Sequence, residues 1–256
     1  MKNRTTPVAA LAACCATFLL PAASSAAPPA RIHYAEPVEL AGVPAAGARK
    51  PTGQFPTGFD AFGRRFDLRL ESNERVLERL KTADRRALPA HALYKGTVAG
   101  VPGSWVRLTR LDAGIHGLVF DGRDLYVLAP AAAVARELDV PLKGVAATST
   151  VVFRAADATS GLTENFCQTV DHGTGKRSKS TSSPAYKTIF ADLQRRKADI
   201  AAAVPSLELD LGLVGDASFA AAYGNPMGEI LARLNNVDGI YSSQVGVRIV
   251  SGSVTV

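Results

Sequence analysis

The sequence predicts an α+β protein: an antiparallel, β-rich unit followed by an incomplete α/β unit of strand, helix and strand. Three observations carry that prediction. Apolar and charged residues alternate with period two through residues 59–130, a Leu-x-Leu-x-Leu-x-Leu strand occupies Leu207 to Leu213, and an amphipathic stretch capped by Asn225-Pro226 follows it. A chain of 256 residues with 47% hydrophobic and 20% charged content has globular composition and room for one or two domains.

The first residues carry Lys2 and Arg4, an apolar run from Val8 to Leu20, Pro21 and then the small residues Ala22 to Ala27. That order is a secretory signal peptide over 1–26, with cleavage after Ala26 or Ala27. The apolar run is shorter than the roughly 18 residues that read as a membrane span, so no stable span is expected there. A competing reading takes Leu11-Ala12-Ala13-Cys14 as a lipid-attachment box and the protein as an envelope lipoprotein. Residues 27–58 are rich in Ala, Pro and Gly without sustained periodicity, which predicts an extended lead-in.

The β-rich unit is expected over 59–170. Phe66, Leu68 and Leu70 alternate with Asp67, Arg69 and Glu71, giving one apolar and one charged face. A second strand is read at Tyr94 to Val98. A third, Trp105 to Arg110, follows the turn Pro102-Gly103. Gly117 to Phe120 and Asp124 to Leu128 flank Asp121-Gly122-Arg123, a strong hairpin signal because Gly accepts the positive φ of a tight turn.

Residues 171–185, DHGTGKRSKSTSSPA, contain no large apolar side chain and are read as a flexible linker. Tyr186 to Val204 is Ala-rich with a thin apolar stripe and is read as a helix stopped by Pro205. In the final unit, 186–256, Leu207, Leu209, Leu211 and Leu213 form one apolar strand face. Asn225 caps a helix whose first position is Pro226. Met227, Ile230, Leu231, Leu234, Val237 and Tyr241 make a single helical stripe, and a strand starts near Val245. Strand, helix and strand in that order predict a right-handed crossover with parallel strands. The Leu face and the helix stripe are expected to need further elements to cover them.

Removing the signal segment takes away Lys2 and Arg4 and leaves the formal charge of +6 at +4. The basic pairs are dispersed and not interleaved with aromatics, so nucleic acid is not an expected partner. Of the 3 cysteines, Cys14 and Cys15 lie in the signal segment, which leaves Cys167 without a partner of its own.

Two stretches resemble the reprolysin or adamalysin-like zinc metalloproteases of the metzincin group. FDLRLESNERVL (66–77) with ALYKGTVAGVPGSWVRLTRLDAGIHGLVFDGRDLYVLAP (92–130) is similar to the family's prodomain. LELDLGLVGDASFAAAYG (207–224) with ILARLNNVDGIYSSQVGVRI (230–249) is similar to the opening strand, helix and strand of its catalytic domain. The resemblance covers roughly half the chain that follows the signal segment. It implies the precursor of a secreted zinc endopeptidase: prodomain first, then the start of a metzincin catalytic domain, acting on protein or peptide substrates.

The family's zinc motif H-E-x-x-H-x-x-G-x-x-H does not occur in this sequence. The 4 histidines, His33, His91, His116 and His172, all precede the catalytic-like segment, and none is paired at the i, i+4 spacing that puts two ligands on one helix face. The chain alone is therefore expected to be inactive, with no catalytic residue carried over.

The resemblance implies one role for Cys167, a latency ligand that would occupy a coordination position of the zinc. Its surroundings Asn165-Phe166-Cys167-Gln168-Thr169 lack the Cys-Gly step of the family's switch; a disulfide to a downstream cysteine and a free buried thiol stay open beside it. Lys176-Arg177 in the linker reads either as a processing site or as a solvated tether. Asp210 matches the position of a calcium-binding acid in some relatives, and also reads as an ordinary strand carboxylate. The reading from a different class is a stand-alone secreted binding or inhibitory module.

Overall fold

The computed structural model describes residues 31–49, 51–159 and 207–256. Within them, mixed helices and strands form an α+β fold dominated by one antiparallel sheet of eight strands. Its order is β2-β9-β8-β7-β6-β5-β4-β3, where β2 is Glu36–Val38, β3 Phe55–Ala61, β4 Arg64–Ser72, β5 His91–Val98, β6 Trp105–Leu111, β7 Gly114–Phe120, β8 Leu125–Pro130 and β9 Thr150–Arg154. The two edges curl toward each other. An antiparallel bridge joins Ala41 to Gly58, and the Thr57 hydroxyl donates to the Ala41 carbonyl at 2.6 Å, so the sheet is nearly a closed barrel.

Period-two patterning explains the interior. Phe66, Leu68 and Leu70 point inward with Phe59, Tyr94, Val106, Leu108, Val119, Tyr126 and Leu128, while Arg65, Asp67 and Arg69 face water. Phe59 stacks on Phe66 at 4.7 Å, and Tyr126 meets Phe66 edge-on at 4.9 Å. The hairpin between β7 and β8 turns at Gly122, with φ 88°. Asp121 accepts there from the Arg123 and Asp124 amides at 2.9 and 2.7 Å. The turn before β6 closes on Ser104, whose hydroxyl donates to the Val101 carbonyl at 2.6 Å.

The lead-in is more structured than its composition predicts. β2 lies within it, β3 starts in it, and Val38, Leu40 and Val43 pack on the barrel core. β1 (Arg31–Ile32) pairs with β10 (Ala158–Thr159), and Ile32 is buried among Val134, Leu138, Val151 and Phe153. The reason is range: β2 pairs with β9 and β1 with β10, each more than a hundred positions away, and strands of two or three residues leave no local period. Two short helices, α1 (Thr82–Ala87) and α2 (Ala131–Val134), are also additions to the expected elements.

The C-terminal unit follows its pattern closely. β11 (Leu207–Val214) runs parallel to β12 (Val247–Thr255), joined through the short helix α3 (Ala217–Ala222) and the long helix α4 (Pro226–Gln244). The Asp216 side chain accepts from the Phe219 amide to cap α3, and Asn225 accepts from the Gly228 amide at 2.9 Å to cap α4. The surface that covers α4 differs from expectation. Leu231, Leu234 and Ile249 are buried against Val76, Leu77, Leu80 and Leu93 on the outside of the barrel, so the first unit itself covers much of the helix. Part of β11 stays open, with Leu207 at 64% and Val214 at 79% exposure.

The expected linker 171–185 and the helix expected at 186–204 lie outside the described residues. Among those described, no helix is long and apolar enough to cross a membrane.

Candidate functional site

The most unusual chemistry in the fold lies where α4 crosses the outside of β5, β6 and β7. An outward-facing strand position is normally wet, and Arg107 and Thr109 carry the polar side chains expected of one. Yet Trp105, Arg107 and Thr109 are 6%, 7% and 0% exposed, because α4 lies over them. On the helix, Asn235 and Asp238 are wholly buried. Burying four polar side chains together is costly unless each is satisfied, and the geometry shows how that is met.

Asp238 is the hub. Its Oδ1 accepts from Arg75 Nη2 at 2.8 Å and from the Ile249 amide at 3.2 Å. Its Oδ2 accepts from Arg107 Nε at 3.0 Å and from Asn73 Nδ2 at 3.2 Å. One carboxylate thereby joins α4 to β6, to β12 and to the 3₁₀ turn Glu74–Leu77 that follows β4. Arg107 spends its other donors on the Val106 carbonyl at 3.0 Å and the Ser242 hydroxyl at 2.9 Å.

Asn235 forms the second anchor one helical turn earlier. Its Nδ2 lies 2.9 Å from the Leu108 carbonyl and 3.1 Å from Thr109 Oγ1, and its Oδ1 accepts from Asn73 Nδ2 at 2.8 Å. Gly239 lets the helix sit this close. A Cβ there would stand 2.6 Å from Arg107 Cγ and 2.7 Å from Trp105 Cζ3. Around this centre, the more exposed Arg79 pairs with Glu208 of β11.

Burial works to raise the Asp238 carboxyl, but the guanidinium charges of Arg107 and Arg75, with the Arg75 and Ile249 hydrogen bonds, outweigh it and hold it below the ordinary carboxylate range. Burial pulls Arg107 down against the opposing pull of Asp238. A guanidinium starts so high that Arg107 stays charged around neutral pH, where the junction is an ion cluster. The Ser242 and Thr109 hydroxyls within it accept from Arg107 and Asn235. The junction's capacity is recognition and rigid attachment.

At the N-terminal end of α4, His116 of β7 stands 3.4 Å from Glu229, and its Nε2 is buried without a hydrogen bond. Burial lowers its pKa, Glu229 opposes that and Arg233 adds to it. The folded state therefore holds His116 neutral below pH 6.5, where the unfolded chain takes up a proton. Stability is fully present above about 6.5 and is lost as pH falls toward the lower folded value. We expect His116→Gln to flatten the stability profile between pH 7 and 5, measured by urea unfolding at each pH. An unchanged slope would assign that titration to another group.

Among the described residues, metal chemistry has no comparable centre. No group of three or more His, Cys, Asp and Glu is gathered among them to hold an ion. His33 bonds Asp139 at 2.5 Å, and His91 Nδ1 lies 2.7 Å from the Pro89 carbonyl. With His116 turned to Glu229, the described histidines do not converge, and these residues do not fit a catalytic zinc. Asp210 is exposed on β11; a Cβ on Gly252 would lie 2.8 Å from its Oδ1, so the carboxylate lies against β12. Ala26, Ala27, Cys167, His172, Lys176 and Arg177 lie outside the described residues.

A second cluster closes one end of the barrel. Phe62 takes φ 52° in the β3–β4 turn, and its amide donates to Glu36 Oε2 at 2.8 Å. Its ring lies between Tyr34 and Tyr126 with the Arg154 guanidinium 4.7 Å from its centre. Arg64 stacks on Phe66 and pairs with Asp121. These contacts plug the barrel end, with Arg154 Nε buried there without a hydrogen-bond partner.

Asn73, Arg75, Arg107, Asn235, Asp238 and Ser242 were not legible as site residues. The one available signal was Asp238, a charged residue next to Val237 on a face otherwise destined for burial. No protein-family model matches the chain, and no curated protein matches it.

Proposed function

We propose that this chain is the front part of the precursor of an exported zinc endopeptidase of the reprolysin-like metzincin group. In this reading the barrel is the prodomain and β11 to β12 open the catalytic domain. The observation that carries the proposal is the junction at Asp238. The two stretches that resemble the family are separated by a long segment, yet they meet there: Asn73, Arg75 and Arg107 come from the first, and Asn235, Asp238, Ser242 and Ile249 from the second. A prodomain that guides or restrains a catalytic domain needs such an attachment.

The signal segment would export the precursor to the periplasm or the medium. The peptide-cleaving zinc, a supporting calcium at Asp210 and the pockets for protein substrates belong to this reading as expectations, and no chemical step is assigned to residues of this chain. The open apolar surface at Leu207, Leu209 and Val214 suits a sheet that takes up further strands. The self-contained barrel core favours the second reading, a secreted binding or inhibitory module.

Expression of the complete reading frame that contains this chain separates them. Chelator-sensitive peptide cleavage by the secreted product, restored by zinc, is expected. A secreted product that binds no zinc and cleaves no peptide in a proteome-derived library would reject the enzyme and leave the module.

A further inference from the structure

We infer that the outer face of β5 to β7, with the turn at Glu74–Leu77, recognises the helix Pro226–Gln244 when that helix is on a separate polypeptide. Cleavage of the segment between them would then leave barrel and helix bound. The inference needs no zinc and no peptidase activity, so it stands or falls apart from the reading above.

The argument rests on what each side contributes. From the barrel come two guanidinium groups, Arg75 and Arg107, the Asn73 amide and the Leu108 carbonyl. From the helix come Asn235, Asp238 and Ser242, which meet these groups at 2.8 to 3.0 Å. Gly239 adds a steric requirement, since any larger residue would strike Trp105 and Arg107. Asn235-x-x-Asp238-Gly239 is therefore a code: shape, charge and hydrogen-bond pattern must all fit before the apolar contacts of Leu231 and Leu234 with the barrel can close.

None of these contacts uses residues 160–206, the connection between the two parts. Cutting it removes the high effective concentration of a tethered partner but none of the contacts themselves. A desolvated, hydrogen-bonded charge pair acts mainly on the rate of dissociation, whereas an exposed rim pair such as Arg79 with Glu208 has little influence on it. The partner is thus a second polypeptide that carries residues 207–256: the cleaved half of the same molecule, or that of another copy.

The test uses the full chain with a site-specific protease sequence in place of residues 176–182. After complete cleavage, both fragments are expected to co-elute in size-exclusion chromatography. Exchange of the C-terminal fragment with isotope-labelled cleaved protein, followed by mass spectrometry, gives the dissociation rate. Asp238→Asn is expected to speed exchange by about 30-fold or more, and Arg79→Ala by less than about 3-fold. If Asp238→Asn does not fold before cleavage, judged by circular dichroism, Gly239→Ala serves as the comparison, with the same direction expected. Separation of the fragments of the unmutated protein would overturn the inference. So would equal exchange rates for the junction variant and Arg79→Ala.

Discussion

Asp238→Ala is expected to lower the stability of the fold by about 3–5 kcal/mol, the cost of removing one partner from a buried ion cluster. The loss exceeds that of a single hydrogen bond because Arg107, 7% exposed, is left without its counter-charge, and Asn73 and the Ile249 amide each lose an acceptor. Urea unfolding followed by tryptophan fluorescence is the direct measurement, since Trp105 is packed at the junction beside Gly239 and is the only tryptophan in the chain. Arg79→Ala is the control. That side chain is 53% exposed, and its pair with Glu208 is expected to contribute less than about 1 kcal/mol. Similar losses for the two variants would mean that the junction does not organise the contact between barrel and helix.

The same carboxylate sets an acid limit. Its folded pKa lies below its value in the unfolded chain, about 3.9. Between the two values the unfolded state binds the extra proton. The stability it contributes is therefore present above about pH 4 and is lost as pH falls through the lower, folded value. Asp238→Asn should remove this part of the acid transition while leaving the His116 part, below pH 6.5, in place.

Gly96→Ala is expected to cost at least about 3 kcal/mol, at the upper end of what overpacking does. Gly96 faces the barrel interior between Tyr94 and Val98 and pairs with Leu70 on one side and Val106 on the other. A Cβ there would stand 2.0 Å from the Arg69 carbonyl oxygen and 2.8 Å from Leu70 Cδ2. The first obstacle is backbone and cannot rotate away, so relief requires β4 and β5 to part, where the sheet curls toward closure. A glycine inside a strand marks such close approaches. At Gly224 a Cβ would meet nothing within 4 Å, and alanine there should change stability by less than about 0.5 kcal/mol. Thermal unfolding of the two variants measures the contrast. A Gly96→Ala protein that melts with its parent would show that the barrel wall yields at this point without cost.

Much of the architecture was legible because it follows local rules. The alternation at Phe66, Leu68 and Leu70 sets the inward face of β4, Asp121-Gly122 sets a hairpin, and Asn225-Pro226 sets the start of α4. In each case the cause lies within a few residues: pleat, positive φ or a capped amide. β1 and β2 were illegible for the converse reason, since their only justification is a partner strand far along the chain. The helix was legible as an element and misread as a surface. Its apolar stripe predicts further covering elements, whereas the barrel covers it through Leu231 and Leu234.

By itself, then, the sequence determined an α+β chain, where most of its strands begin and turn, and which residues point inward. Only the tertiary structure decided that Arg107, on the outer face of one strand, and Asp238, on one face of a helix, become a single buried ion cluster. Periodicity records which way a side chain points from its own element. What that side chain meets depends on the docking of two surfaces, and charges and amides are buried only where a partner from elsewhere in the chain arrives to satisfy them.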